Sequence, residues 1–177
     1  MVVARGGATL RAVPPPTTIE TPVGPLAVGR RDGRLAIEWL VPGAPLPGSA
    51  DDSETRALRT ALAAFFARRD PAAFYAIPTG AGTPFMQRVW NACRTIPFGE
   101  TRTYGWIAAE IGASAVAARA VGQALRRNPL PLVVPCHRVV PVAGLGGYAG
   151  DTSGALAAIK RRLLEFERNA VVGASIG

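Results

Sequence analysis

Prolines and glycines set the first limit on how this chain can fold. Its 177 residues include 16 prolines and 20 glycines, and these gather in clusters: Pro14-Pro15-Pro16, Pro42 to Ser49, Pro78-Thr79-Gly80-Ala81-Gly82 and Asn128-Pro129. Proline fixes φ and removes a backbone donor, so no regular helix or strand runs through such a cluster. The 78–82 cluster predicts a boundary between two unlike units, 1–80 and 81–177. A chain of this length has ample material for two small domains with cores.

The first unit begins with a frayed stretch over residues 1–17, small residues followed by the proline triplet. Thr18 to Leu40 reads as strands broken by turns at Pro22, Gly24-Pro25 and Asp32-Gly33, with Leu35, Ile37 and Trp39 alternating as in a half-buried strand. From Glu54 to Arg68 the apolar Leu58, Leu62, Phe65 and Phe66 recur at helical spacing, and Asp70-Pro71 stops the helix.

The second unit reads as mainly helical. Phe85, Met86, Val89, Trp90 and Cys93 form one helical stripe that ends before Pro97 and Gly99, which makes Cys93 a buried small hydrophobe. Thr103 can N-cap a short helix with Tyr104, Ile107, Ala108 and Ile111 on its apolar face. Ser114 can cap the next, which runs to about Arg127. Two short helices joined around Gly112-Ala113 have helix-turn-helix spacing. The second of them carries Ala115, Ala117, Ala118, Ala120, Gly122 and Ala124, so it is slim, and Arg119 projects from it. Such a helix suits close packing inside the protein. It equally suits docking into a narrow nucleic-acid groove with Arg119 reaching inward.

Charge divides along the same boundary. Residues 1–80 hold nine basic and seven acidic side chains, a net +2, and residues 81–177 hold eleven and five, a net +6. The excess is nearly all arginine, Lys160 being the one lysine. A basic half-chain attracts phosphate backbones, although an arginine-biased proteome would give the same count. No run approaches 18 uninterrupted apolar residues, so no membrane span is expected. No apolar core follows Arg5 and Arg11 before the prolines, so no signal peptide is expected either. Two cysteines and one histidine provide neither a disulfide framework nor a metal site, and a reducing cytoplasm is the simplest setting.

The densest chemistry lies in Pro135-Cys136-His137-Arg138-Val139, where one cysteine adjoins the sole histidine. A free thiol is only a few per cent ionised near neutrality, so a nucleophilic Cys136 needs a proton acceptor. In an extended segment successive side chains point to opposite faces. Contact therefore needs a turn at Cys136, or a water between thiol and imidazole. Glu100, Glu110, Glu165 and Glu167 are the candidate carboxylates to orient His137.

This signature resembles the active site of the O6-alkylguanine-DNA alkyltransferases, also called methylated-DNA–protein-cysteine methyltransferases. Gly82-Thr83-Pro84-Phe85, Val89-Trp90, Ile96 to Thr101, Tyr104-Gly105, Ala118 to Gly122, Asn128-Pro129 and Gly146-Gly147-Tyr148 stand in that family's order and spacing. The likeness is strong from 82 to 168 and fainter from 18 to 80. The resemblance implies an α/β (α+β) protein: a small strand-rich, ribonuclease-H-like N-terminal domain and a mainly helical C-terminal domain with a helix-turn-helix.

It also implies roles. Cys136 would take the alkyl group from guanine O6, and probably thymine O4, in duplex DNA and keep it as a thioether, acting once. His137 would act through a water, oriented by Glu167. Tyr104 would hydrogen-bond N3 of the flipped guanine, and Asn128 would brace the active-site turn. Arg119 would fill the gap left by the extruded base. The helix bearing Ala117, Ala118, Ala120 and Gly122, with Thr103 beside it, would enter the minor groove. Val139, Tyr148, Ala149 and Lys160 would border the base pocket. Neither a cofactor, a metal nor an obligate protein partner is implied, and positions 1–80 hold no cysteine or histidine of the kind some relatives use for zinc.

Two departures stand out: Gln123 replaces a second glycine common in relatives, and Asp151-Thr152-Ser153-Gly154 replaces a glycine-rich run into the last helix. Rival readings are an alkyltransferase-like protein that flags lesions without transfer, a DNA-binding regulator, and a cysteine hydrolase. The first typically has tryptophan where this chain has Cys136.

Overall fold

The computed structural model describes residues 16–69 and 71–174; most of the frayed stretch foreseen at the N-terminus, and Asp70 of the helix stop, lie outside them. The molecule is mixed α/β. The described residues hold one three-stranded antiparallel sheet, one short two-stranded parallel pairing and five α-helices.

Strands β1 (Thr17–Ile19), β2 (Leu26–Arg31) and β3 (Arg34–Trp39) pair in the order of the chain. The Asp32-Gly33 turn fixes the register, so that Arg31 opposes Arg34 and Leu26 opposes Trp39. Leu26, Ala27 and Val28 are all buried, as are Ala36, Ile37 and Trp39. The middle of the sheet is therefore covered on both faces rather than half-buried. One cover is the chain at Gly48, which pairs with Arg30. A Cβ on Gly29 would collide with the Gly48 carbonyl, so only glycine lets that segment cross.

Helix α1 (Ser53–Arg68) packs its Leu58, Leu62 and Phe65 into the same core. It begins with reciprocal capping: Asp52 Oδ1 accepts from the Thr55 N–H at 2.9 Å, and Thr55 Oγ1 accepts from the Asp52 N–H at 3.0 Å. It ends at Arg69 in the left-handed region, φ 56°.

The second half carries α2 (Pro84–Arg94), β4 (Arg102–Thr103), α3 (Tyr104–Glu110), α4 (Ala118–Arg126), β5 (Val139–Val140) and α5 (Ala155–Ala174). Thr83 and Thr103 cap α2 and α3 by accepting from the N–H groups of Met86 and Trp106. The expected cap at Ser114 is not used. A 3-10 turn at Ala115–Ala117 comes first, and α4 starts after Ala117, which has no side-chain acceptor to offer. Ser114 contributes its carbonyl to the Ala117 N–H instead. Asp151 explains one departure in the sequence: its carboxylate accepts from the N–H groups of Ser153, Gly154 and Leu156, closing the start of α5.

Two apolar cores result. The first joins the sheet and α1 to Leu130, Leu132, Val133, Tyr148, Ile159 and Leu163. The second joins α2, α3 and α4 to Val134 and Val139. The 130–134 segment thus serves both cores, and Cys136 packs against both. A backbone bond from Ile37 N–H to Pro129 O, 2.9 Å, ties β3 to this seam.

Candidate active site

The seam bends sharply at the cysteine. Pro135 has φ −79° and ψ 60°, and the Cys136 N–H reaches back to Val134 O at 2.8 Å. This is an inverse γ-turn, and it feeds a 3-10 turn over Cys136–Arg138. Of the two arrangements open in the sequence, a turn at Cys136 or a water between thiol and imidazole, the chain does turn here.

Asn128 braces the bend from one side chain. Its Nδ2 donates to Val134 O at 3.0 Å and to Cys136 Sγ at 3.3 Å, while its Oδ1 accepts from the Leu130 N–H at 3.0 Å. Cys136 is partly exposed, and Cys93 is fully buried as expected of a small hydrophobe in the helical stripe.

His137 points the other way, into the protein, and is fully buried. Its Nε2 meets Glu167 Oε1 at 2.8 Å. Among the four candidate carboxylates, Glu167 on α5 is the one the fold delivers. Gly99 helps to hold it, donating its N–H to Glu167 Oε2 at 3.0 Å from a turn with φ +80° that suits glycine. Arg138 completes the cluster. Its Nε and Nη2 donate to the same carboxylate at 2.9 Å each, and its Nη1 donates to Ile96 O at 2.8 Å.

Two clefts meet at the sulfur. One of about 190 Å³ is bordered by Tyr104, Gly122, Gln123, Arg126 and Ala149. The other, about 480 Å³, opens between Trp39 to Pro45 on the sheet side and Asn128, Pro129 and Pro131 opposite. Cys136 and Tyr148 line both.

Comparison with known proteins now decides the family. A family model described as "6-O-methylguanine DNA methyltransferase, DNA binding domain" matches residues 84–169. The constitutive methylated-DNA–protein-cysteine methyltransferase of Bacillus subtilis is 40% identical over 162 residues, covering 86% of this chain and 94% of that protein. The chain belongs to the methylated-DNA–protein-cysteine methyltransferase family. A member from Mycolicibacterium paratuberculosis is 42% identical over 152 residues, 82% of this chain and 91% of that one. The crystal structure of Mycobacterium tuberculosis OGT in complex with DNA superimposes with a TM-score of 0.61 at 37% identity, covering 86% and 92% of the two chains.

Electrostatics in this family member separate the roles of the buried groups. Burial pushes the His137 pKa down, against the pull of Glu167. Glu167 resists the upward push of its own burial and is held down to about 2 by His137 and Arg138. Glu167 is thus ionised beside a neutral imidazole, because Arg138 supplies a permanent charge. A neutral His137 must then donate from Nε2, leaving Nδ1 as the acceptor. Nδ1 is buried and has no protein partner. Burial raises the Cys136 thiol, while Asn128, Tyr148 and the nearby Lys160 draw it back.

Other residues singled out in the sequence fall in four places. Tyr104 and Gly122 border the smaller cleft, and Tyr148 and Ala149 border both. Arg119 and Ala120 are exposed on α4 and Ala118 partly so, while Ala117 is partly exposed at the end of the 3-10 turn before it. The Thr103 hydroxyl is occupied as the cap of α3. Val139 and Lys160 lie behind the clefts and border neither: Val139 is buried in the second core, and Lys160 Nζ donates to the carbonyls of Val139 and Gly147 at 2.7 and 3.2 Å. Burial brings the Lys160 pKa down to about 8. Sequence reasoning missed Arg138 as the partner of Glu167, and Trp39 as a neighbour of the site. A charged residue inside an otherwise apolar run was the signal for the first; nothing in the sequence marked the second.

Proposed function

We propose that this protein reverses DNA alkylation damage directly, by irreversible transfer of the alkyl group from O6-alkylguanine, and from O4-alkylthymine, in duplex DNA to Cys136. The observation that carries the reading is one sulfur, braced by Asn128, standing where two clefts meet and next to a buried His137–Glu167 pair. A buried imidazole nitrogen is normally satisfied by water. A water at His137 Nδ1 would pass the thiol proton to the imidazole, and Glu167 would stabilise the imidazolium so formed. Sγ then attacks the alkyl carbon, the carbon–O6 bond breaks, and its electron pair leaves on the guanine. Tyr104, hydrogen-bonding guanine N3 in the smaller cleft, would help that anion depart. The product thioether has no ready leaving reaction, so each molecule acts once.

O6 is inaccessible inside a duplex, so the base is flipped out at a cost of a few kcal/mol. We read α3 and α4 as a helix-turn-helix whose second helix enters the minor groove. Ala117, Ala118, Ala120 and Gly122 would give close approach, Thr103 would hold the first helix, and Arg119 would replace the lost base in the stack. The exposed, slim face of α4 supports this over internal packing. Val139 and Lys160 would act from behind the pocket, through backbone and charge. The 1–80 unit would be the ribonuclease-H-like scaffold and 81–177 the DNA-binding unit, in a cytoplasmic protein needing no cofactor.

Incubation with duplex DNA carrying labelled O6-methylguanine tests the reading. Label should appear on the Cys136 peptide in stoichiometric amount, and Cys136→Ser should bind the DNA without becoming labelled. Binding without label on the unaltered protein would instead support the lesion-flagging, alkyltransferase-like alternative.

A further inference from the structure

The mechanism so far uses only the second half of the chain, yet the sheet also reaches the sulfur. Trp39, the last residue of β3, is buried, and its indole Nε1 lies 3.3 Å from Tyr148 Oη. Indole N–H is a donor only, so the direction of that bond is fixed: Trp39 donates and the Tyr148 oxygen accepts. A phenolic hydroxyl has a single proton. With its oxygen facing the indole N–H, that proton must point elsewhere, and the Cys136 sulfur is the acceptor that shares both clefts with it.

We propose that Trp39 is a positioning residue for Cys136, orienting the Tyr148 hydroxyl so that it donates to the sulfur. The thiolate then has two donors from separate segments, Asn128 from the 128–136 bend and Tyr148 from the 146–151 turn. The inference rests on Cys136 as the nucleophile and adds a contribution from the N-terminal sheet. The direction of the Cys136 shift agrees, since the Tyr148 hydrogen bond lowers it against burial.

Other charges around the sulfur leave this role open. From α5, Lys160 favours the thiolate but spends its bonds on the Val139 and Gly147 carbonyls. From α2 and α3, Cys93 and Tyr104 are uncharged at neutral pH, their pKa values raised by burial. From β3, the Glu38 carboxylate adds a small unfavourable charge near Tyr148, but it is paired with Arg31 at 3.0 Å. Arg126 and Arg127, at the end of α4, are exposed at the cleft mouth. His137 and Arg138 turn away to Glu167.

Trp39→Phe keeps an aromatic ring and removes the N–H. The test is the pH dependence of Cys136 alkylation by iodoacetamide, followed by mass on the Cys136 peptide apart from the Cys93 peptide. The midpoint should rise by about half a pH unit or more in Trp39→Phe, so that the rate below it falls about threefold or more. Tyr148→Phe should raise it similarly, and the double variant should show no further rise. A uniform loss of rate at every pH with an unmoved midpoint would mean a merely structural role and overturn the proposal. So would shifts that add in the double variant. Should Trp39→Phe not fold, an unmoved midpoint in Tyr148→Phe overturns it equally. Transfer from free O6-benzylguanine is measured alongside. A protein that iodoacetamide alkylates but that accepts no benzyl group refutes the proposed function, while the midpoints still judge Trp39.

Discussion

Arg138 and Arg119 are the same residue type on the same basic half of the chain, and they could hardly be placed more differently. Arg138 is buried, its guanidinium bonded to Glu167 and to Ile96 O. Arg119 is exposed on α4 and has no hydrogen-bond or ion-pair partner among the described residues. The first is an internal strut that keeps Glu167 ionised beside His137. The second is free to meet something outside. The buried Arg138–Glu167 pair adds nothing to the net +6 of residues 81–177, so the excess available to DNA comes from other residues such as Arg119. Net charge bears on association, and only the exposed share of it counts.

The sharpest way to break the comparison is Glu167→Gln. It leaves Arg138 buried without its counter-charge, a defect that costs about 3–5 kcal/mol. Urea unfolding should show a loss of that order, together with loss of transfer; a change under about 1 kcal/mol would mean that Arg138 is no strut. Acid titration gives a second reading. The Glu167 pKa falls from 4.5 in the unfolded reference to about 2 in the fold. Its contribution is thus complete above about pH 4.5 and fades as pH drops toward 2. The variant should lack that part of the acid slope while Asp52 and Asp151, also depressed by their hydrogen bonds, keep theirs.

Arg119→Ala probes the other arginine. As an exposed residue it should change stability by less than about 0.5 kcal/mol. On the proposed flipping role, removing Arg119 should slow transfer from duplex DNA roughly tenfold, equivalent to about 1.4 kcal/mol. Transfer from free O6-benzylguanine should hardly change. Equal losses on both substrates would remove Arg119 from any flipping role and erase the functional half of the contrast.

The contrast also marks what could be read in advance. Helices α1 and α2 and strand β3 follow from periodicity, since Leu58, Leu62 and Phe65, or Ile37 and Trp39, must share a face to be buried; β2 was marked only by the turns around it. The resemblance pointed to Glu167, which no spacing rule could select, because it lies 30 positions from His137 and depends on the packing of α5. A turn at Cys136 was one of two arrangements the residues left open, and only the fold shows the tight bend at Pro135. The Ser114 cap failed because a 3-10 turn took up the start of α4. Trp39 looked like any strand residue, since the direction of one indole N–H is a tertiary fact.

The smallest effect concerns the slimness of α4 itself. Gly122 sits in mid-helix, where glycine costs roughly 0.5–1 kcal/mol relative to alanine. A Cβ there would meet only the Tyr104 ring, at 3.7 Å, which is ordinary contact. Gly122→Ala should therefore raise stability by about that amount, seen as a higher thermal midpoint. The added methyl would also project toward Tyr104 in the smaller cleft, where Gly122 forms part of the wall. Transfer should fall more from duplex O6-methylguanine, which needs both groove approach and base entry, than from iodoacetamide reaction at the same sulfur. A variant more stable and equally fast on DNA would show that α4 is slim for packing, and Arg119 alone would then carry the case for a DNA-facing surface.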